Sequence, residues 1–386
     1  MPSNPAPRQP PLLAAGPTLP QQGRVSVIRV TRESIPDPTG LAEAWRTLEA
    51  RADFSFFQSW TWVGCEVAAR FPNAVLLRAT RGEETVGLAL CNRARGTLWL
   101  GESGEPAWDA AYVEHNGPLL ARDARNALPA LLRAGLGRFA GRLRLSGTHA
   151  DTLPAAREAG AVRILRAQPA PCLDLRLLGD DFPASLSANT RYQLRRSDRA
   201  YAAAGPIRAH RAETLAEASD FLAALAGLHQ RTWTARGKPG AFANPSFVRF
   251  HRSLLARALP RGEADLLRIA AGDRTIGYLY NFRHAGRVLA YQSGFDYAAR
   301  SPHEKPGLTC HHAAIRLARD TGATAYDFLA GPDRYKTSLA NTATQLLWLD
   351  IAARWSIRGV VVMALKQGEG LRPSTPPRAE PLEPDT

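Results

Sequence analysis

Two stretches of this 386-residue chain align with each other without a gap. AVLLRATRGEETVGLALCNRARG begins at Ala74, ADLLRIAAGDRTIGYLYNFRHAG begins at Ala264, and nine of the 23 positions are identical. Leu76, Leu77, Arg78, Gly82, Thr85, Gly87, Arg93 and Gly96 recur as Leu266, Leu267, Arg268, Gly272, Thr275, Gly277, Arg283 and Gly286, and the leading Ala is the ninth pair. Each copy reads as strand, tight turn, strand. Gly82 and Gly272 supply the backbone angles of a hairpin turn. Gly87 and Gly277, inside the second strand, predict a bulge or a close backbone approach. A hairpin of one design used twice predicts two domains of one fold.

The surroundings of the two hairpins agree. Helical patterns start at Leu41 and Gln58 before the first, and at Ala218 and Pro245 before the second, with apolar residues three and four apart. After the first hairpin come a strand (97–100), a helix (123–139) and a strand (142–145). After the second come a strand (288–296), a helix (306–321) and a strand (324–330). The fold class is α+β: two tandem domains, each a mixed, mostly antiparallel sheet with flanking helices. The expected bounds are 24–168 and 169–366. The Pro-rich ends, 1–23 and 367–386, are expected to be disordered.

The formal charge of +14 suits an anionic partner. It suits equally a chain whose default cation is Arg, because only four of its 49 basic residues are Lys: Lys238, Lys305, Lys336 and Lys366. Against that background a Lys marks chance or a need for a compact, titratable ammonium. Cys65, Cys91, Cys172 and Cys310 are far apart and form no metal or CxxC pattern, as in reduced intracellular chains. His303, His311 and His312 have no carboxylate at metal-ligand spacing, so no metal is expected. The N-terminus does not read as a signal peptide, and the apolar run 359–365 is too short to span a bilayer. The expected location is the cytoplasm.

Four segments carry a resemblance: SFFQSWTWVG from Ser55, LSANTRYQLRRSDRAY from Leu186, GFDYAARSPHEKPGL from Gly294, and YDFLAGPDRYK from Tyr326. In order and spacing the chain resembles the two-domain BioF2-like or CelD-like acyltransferases of the GNAT superfamily, related to the FemAB peptidyl transferases. The resemblance covers about residues 50–350. It implies acyl transfer, with acetyl-CoA or another acyl-CoA as co-substrate, to an amine or hydroxyl of a small molecule, sugar or envelope precursor. FemAB relatives take an aminoacyl group from tRNA, which leaves tRNA open as a partner. A binding protein that keeps the fold without chemistry is the other alternative.

The resemblance also assigns residues. It places the CoA diphosphate at the start of the helix near Lys305, Pro306, Gly307 and Leu308, where Pro suits the first turn and free N–H groups favour an anion. Pantetheine would lie along Gln292, Ser293 and Gly294. The QxxGxG/A loop of typical GNAT proteins is absent here. Tyr335 and Lys336, just past the strand 324–330, are the catalytic candidates: an acid for the leaving thiolate and a donor to the reacting carbonyl. Adjacent residues on a regular element point different ways, so they do not share one role. Asp327 is either a base reached through water or a structural carboxylate paired with an arginine. Arg191 is the candidate for an anionic acceptor by the FemAB resemblance, with Arg195 on the same helix face and Arg334 beside the catalytic pair. Trp233 and Lys238 suit a sugar or CoA edge, or a packed helix end. The first half, which has WLGESGEPAWDAAY from Trp99 in place of VLAYQSGFDYAA, is expected to shape the acceptor cleft or only to support the fold.

Overall fold

The computed structural model describes residues 27–356, apart from 36, 107, 110–112, 138–140, 180, 299–300, 332 and 355. The Pro-rich ends and the apolar run 359–365 lie outside the described residues. The first half runs β1 (Ile28–Ser34), α1 (Pro38–Glu49), α2 (Trp60–Ala69), β2 (Ala74–Arg81), β3 (Glu84–Ala94), β4 (Thr97–Leu100), β5 (Leu119–Leu120), α3 (Leu128–Leu136), β6 (Arg142–His149), α4 (Leu153–Ala159) and β7 (Ala161–Asp174). The second runs α5 (Ala188–Ala202), β8 (Ile207–Arg211), α6 (Leu215–Ala235), α7 (Pro245–Ala258), β9 (Ala264–Ala271), β10 (Arg274–His284), β11 (Arg287–Phe295), α8 (Pro306–Asp320), β12 (Ala325–Asp327), α9 (Arg334–Leu339) and β13 (Thr342–Ala352).

The repeat is reproduced in backbone geometry. Ala79 faces Gly87 across β2–β3, and Ile269 faces Gly277 across β9–β10. Beside each pair the register slips by one residue, so Val86 and Ile276 are the bulged positions. The turns that follow match too: Arg95 and Ala285 have φ of 50° and 47°, each followed by a Gly with positive φ.

The sheet is continuous through both halves, in the order β1-β2-β3-β4-β6-β13-β7-β12-β11-β10-β9-β8, with β5 paired to β3. Its middle is exchanged. β7, the last strand of the first half, pairs with β12 of the second. β13, the last strand of the second half, pairs with β6 of the first. The two exchanged strands pair with each other from Ala161↔Ala352 to Cys172↔Thr342. The expected boundary at 168/169 therefore falls inside β7, in the centre of the sheet.

Alternation along the strands divides the second half into two faces. Leu266, Tyr280, Phe282, Leu289 and Tyr291 join the large core that also contains α6, α7 and the first half. Phe56 stacks on Phe282 at 4.2 Å and 17°, which joins the halves through rings. Leu267, Leu279, Val288, Tyr326 and Phe328 face the other way, into a core under α5 and α8. The strand expected over 324–330 stops at Asp327, because Leu329 takes a left-handed φ of 60° that a strand cannot continue through.

Candidate active site

The shortness of β12 creates the site. It holds β11 only at Arg287–Leu289, in parallel pairing. The chain beyond it follows β7 instead: Phe328 N–H donates to Pro171 O at 2.9 Å and Gly331 N–H to Pro169 O at 3.2 Å. The outer part of β11 and residues 328–331 thus splay apart. A cleft of about 590 Å³ opens there, with Ala290, Tyr291 and Gln292 on one side and Leu329, Ala330 and Lys336 on the other. The β11 register slips beside Tyr291, a bulge at the point of divergence.

Lys336 enters the cleft from the first turn of α9. Its Nζ donates to Ala330 O at 2.8 Å and lies 3.8 Å from Asp333 Oδ2. An ammonium has three donors, so capacity remains for a group in the cleft. The turn that carries Ala330 is held from below. Asp327, fully buried, accepts from Leu329 N–H at 2.8 Å and from Arg287 Nη2 at 2.8 Å. It also pairs with His115 Nε2 of the first half at 3.1 Å. Burial opposes ionisation of Asp327, but His115, Arg287 and the Leu329 N–H outweigh it and hold its pKa below the usual range. Burial likewise opposes charge on His115, and Asp327 outweighs it and raises the imidazole pKa. His149, 3.0 Å from His115, is lowered by burial and by that neighbouring charge. His115 itself has a left-handed φ of 48°. Two unusual turns, one from each half, are therefore locked by one buried ion pair. Asp327 does not line the cleft. Its arginine partner is Arg287, the kind of pairing its structural reading expects.

The residue before His115 is one that sequence reasoning missed. Glu114 lines the cleft and accepts a hydrogen bond from Ala330 N–H. Burial, the largest influence, raises its pKa, against the pull of the Ala330 N–H and Lys336. Glu102 and Asp109 from the same first-half loop also line the cleft. Glu102 is raised by burial, while Asp109 is committed to Arg70 at 3.0 Å and to the Ser103 and Gly104 N–H groups. The one sequence signal was compositional: the loop that replaces the second half's long strand is acidic in a basic chain.

The other expected residues divide between the cleft and elsewhere. Gln292, Trp233 and Lys238 line it, with the Lys238 ammonium 5.8 Å from the Trp233 ring. Ser293 O accepts from His229 at 3.2 Å. Gly294 lets α6 approach, since a Cβ there would meet Leu225 O at 2.4 Å. Helix α8 does begin at Pro306, with no side-chain cap on its first turn. Lys305 N–H donates to Ser197 Oγ of α5 at 2.8 Å, Gly307 packs near Phe295, and Leu308 is half-buried. Tyr335 leaves the cleft: its ring stacks on His311 of α8 at 5.4 Å and 22°, in the opposite core. One residue's rotation on α9 separates it from Lys336. Arg191 is spent on Ala184 O at 3.1 Å, Arg195 pairs with Asp181 at 3.6 Å, and Arg334 is exposed, so none of the three lines the cleft. Among the described residues no group of His, Cys, Asp and Glu is arranged to hold a metal, and no helix is long and apolar enough to cross a membrane.

The sequence from the start of α5 to the middle of α9, residues 188–337, matches the family described as acetyltransferase (GNAT) domain. That stretch of the second half is thus similar in sequence to a GNAT domain. The gap just described lies within that stretch, between β11 and the residues after β12. In fold the chain is similar to FemX, with a TM-score of 0.58 and 12% identity over 86% of this chain and 100% of that one. It is also similar to L-PGS from Bacillus licheniformis, with a TM-score of 0.53 and 11% identity over 86% and 97%. No curated protein matches the sequence.

Proposed function

We propose that the chain transfers an acyl group, in the first instance acetyl, from an acyl-CoA to an amine or hydroxyl of a small molecule, sugar or envelope precursor. The observation that carries this is the Lys336 ammonium, set at the mouth of the open gap in a GNAT domain. The donor approaches from the α8 face, its diphosphate at the uncapped N–H groups of Gly307 and Leu308 and its arm along β11. The acceptor enters from the α6 face, past Trp233 and Lys238. The two meet between Gln292 and Ala330. There Lys336 donates to the oxyanion that forms on the thioester carbonyl, a donor whose loss costs about 3–4 kcal/mol in the transition state. The four cysteines are buried and free, and the reading is direct transfer within a ternary complex.

The test is calorimetry with acetyl-CoA, followed by thiol release. Saturable binding with one site per chain is expected, and no heat with any acyl-CoA sinks the reading. A second reading, aminoacyl transfer from tRNA, has one observation in its favour. Arg195, Arg196 and Arg199 are exposed on α5, which packs beside the start of α8. A tRNA affinity that falls steeply with salt and competes with acetyl-CoA would favour it.

A further inference from the structure

The repeat puts matching residues in matching places, and at one of them a partner is missing. Arg93 and Arg283 are the same position of the repeat. Arg32 on β1 faces Leu77, and Arg211 on β8 faces Leu267, so these two arginines also correspond. In the second half one buried carboxylate gathers both. Arg211 Nε lies 2.8 Å from Asp265 Oδ1 and its Nη2 donates to Oδ2 at 3.4 Å, while Arg283 Nη1 lies 3.6 Å from Oδ2. The counterpart of Asp265 in the first half is Val75. There Nε and Nη2 of Arg32, the same edge that Arg211 turns to Asp265, are buried and have no partner among the described residues.

No neighbouring acid supplies the missing charge. Glu33 pairs with Arg78 at 3.2 Å, and Glu105 with Arg95 at 2.9 Å. Burial, and then the charge of Arg93, push the Arg32 pKa below its ordinary value. The end of α3 helps to hold the cation. A Cβ on Gly137, the residue after that helix, would meet Arg32 Nη1 at 2.7 Å, and the carbonyl end of a helix favours positive charge. A cavity of about 650 Å³ is lined by both arginines together with Val75, Asn73 and Ser34. It shares no residue with the cleft beside β11.

We propose that this cavity binds the carboxylate of a small organic acid, in the place that Asp265 takes in the second half. A carboxylate presents two oxygens in one plane, which match the two parallel N–H groups on the free edge of Arg32, with Arg93 as the second cation. The body of the acid lies in the cavity, against Val75. Binding here is non-covalent and stands independently of the acyl-transfer reading above.

The experiment is calorimetry on the full chain with acetate, succinate and benzoate, which share only the carboxylate. Inorganic phosphate and chloride are compared at the same ionic strength. At least one of the three carboxylates is expected to bind saturably and to raise the thermal unfolding midpoint, and chloride is expected to do neither. Arg32→Met is expected to weaken that binding about tenfold or more, as the loss of charge-assisted hydrogen bonds would. Val75→Asp gives the first half the carboxylate that the second half already has, and is expected to abolish binding by filling the site from within. Where Val75→Asp does not fold, Arg32→Met decides. No carboxylate bound, phosphate bound as tightly as the best carboxylate, or an Arg32→Met variant with wild-type affinity overturns the proposal. Each of these is read without acetyl-CoA, so none of them bears on the transfer reading.

Discussion

The same gap is built twice in this molecule and is open only once. Leu98 pairs with Leu143 in the first half as Val288 pairs with Tyr326 in the second. On that register Leu100 and Ser146 stand where Ala290 and Leu329 stand. In the second half those two residues border the cleft. In the first, the Asn116 side chain fills the place, donating to Leu100 O at 3.0 Å and Ser146 O at 3.2 Å. Its backbone N–H bonds Gly147 O at 3.0 Å. β4 stops after four residues where β11 runs for nine. The first half closed its own gap with its own amide, and the segment that closes it carries Glu114 into the other half's cleft. The segment that fills one gap forms a wall of the other.

That contrast can be broken at several points. The largest effect is expected at Lys336, which the first half does not match: Lys336→Ala should reduce turnover by about 10²–10³-fold, with acetyl-CoA affinity by calorimetry unchanged. Next is the lock between the halves. Asp327→Asn removes one partner of a fully buried pair and should cost about 3–5 kcal/mol in chemical denaturation. Its pH dependence has two limbs. Asp327 has a lowered pKa, so its contribution is present above 3.8, its ordinary value, and is lost as pH falls through the folded value. His115 has a raised pKa, so its contribution is complete below 6.5 and is lost as pH rises through the folded value. The stability difference between wild type and variant should therefore be greatest between those two ordinary values and shrink on either side.

Smaller effects sharpen the comparison. Asn116→Ala should cost about 1–3 kcal/mol by leaving buried carbonyls unpaired. It should leave one acetyl-CoA bound per chain, because β4 lacks the long edge of β11; a second site appearing by calorimetry would show that the plug alone closes the first half. Tyr335→Phe should leave thiol release unchanged, since the ring stays stacked on His311. A large loss there would return Tyr335 to the reaction.

The repeat, the bulge after each hairpin turn, the starts of α5 and α8 and the presence of a lysine where the chain's habit is arginine were legible in the sequence, and that lysine, Lys336, lines the cleft. They depend on local rules: a Gly that permits a turn, a Pro that suits a first turn, a Lys where Arg is the habit. Tyr335 was misplaced because one step of helix rotation decides which core receives it, and no local pattern reports that. The place of Glu114 and the His115 partner of Asp327 were invisible for a different reason. Their contacts, Glu114 to Ala330 and His115 to Asp327, join residues about 200 positions apart, and the strand exchange that brings them together leaves no mark in either half alone.

The exchange of β7 and β13 has one more consequence. A chain cut in the connection between β7 and α5 would give two pieces, each lacking the strand that should lie beside its own sixth or twelfth strand. Neither piece would be a small protein in its own right. Made together, they would fit as two parts of one key, and soluble material from co-expression alone would show it. The exchange makes the two halves one folding unit, in which neither is complete without the other.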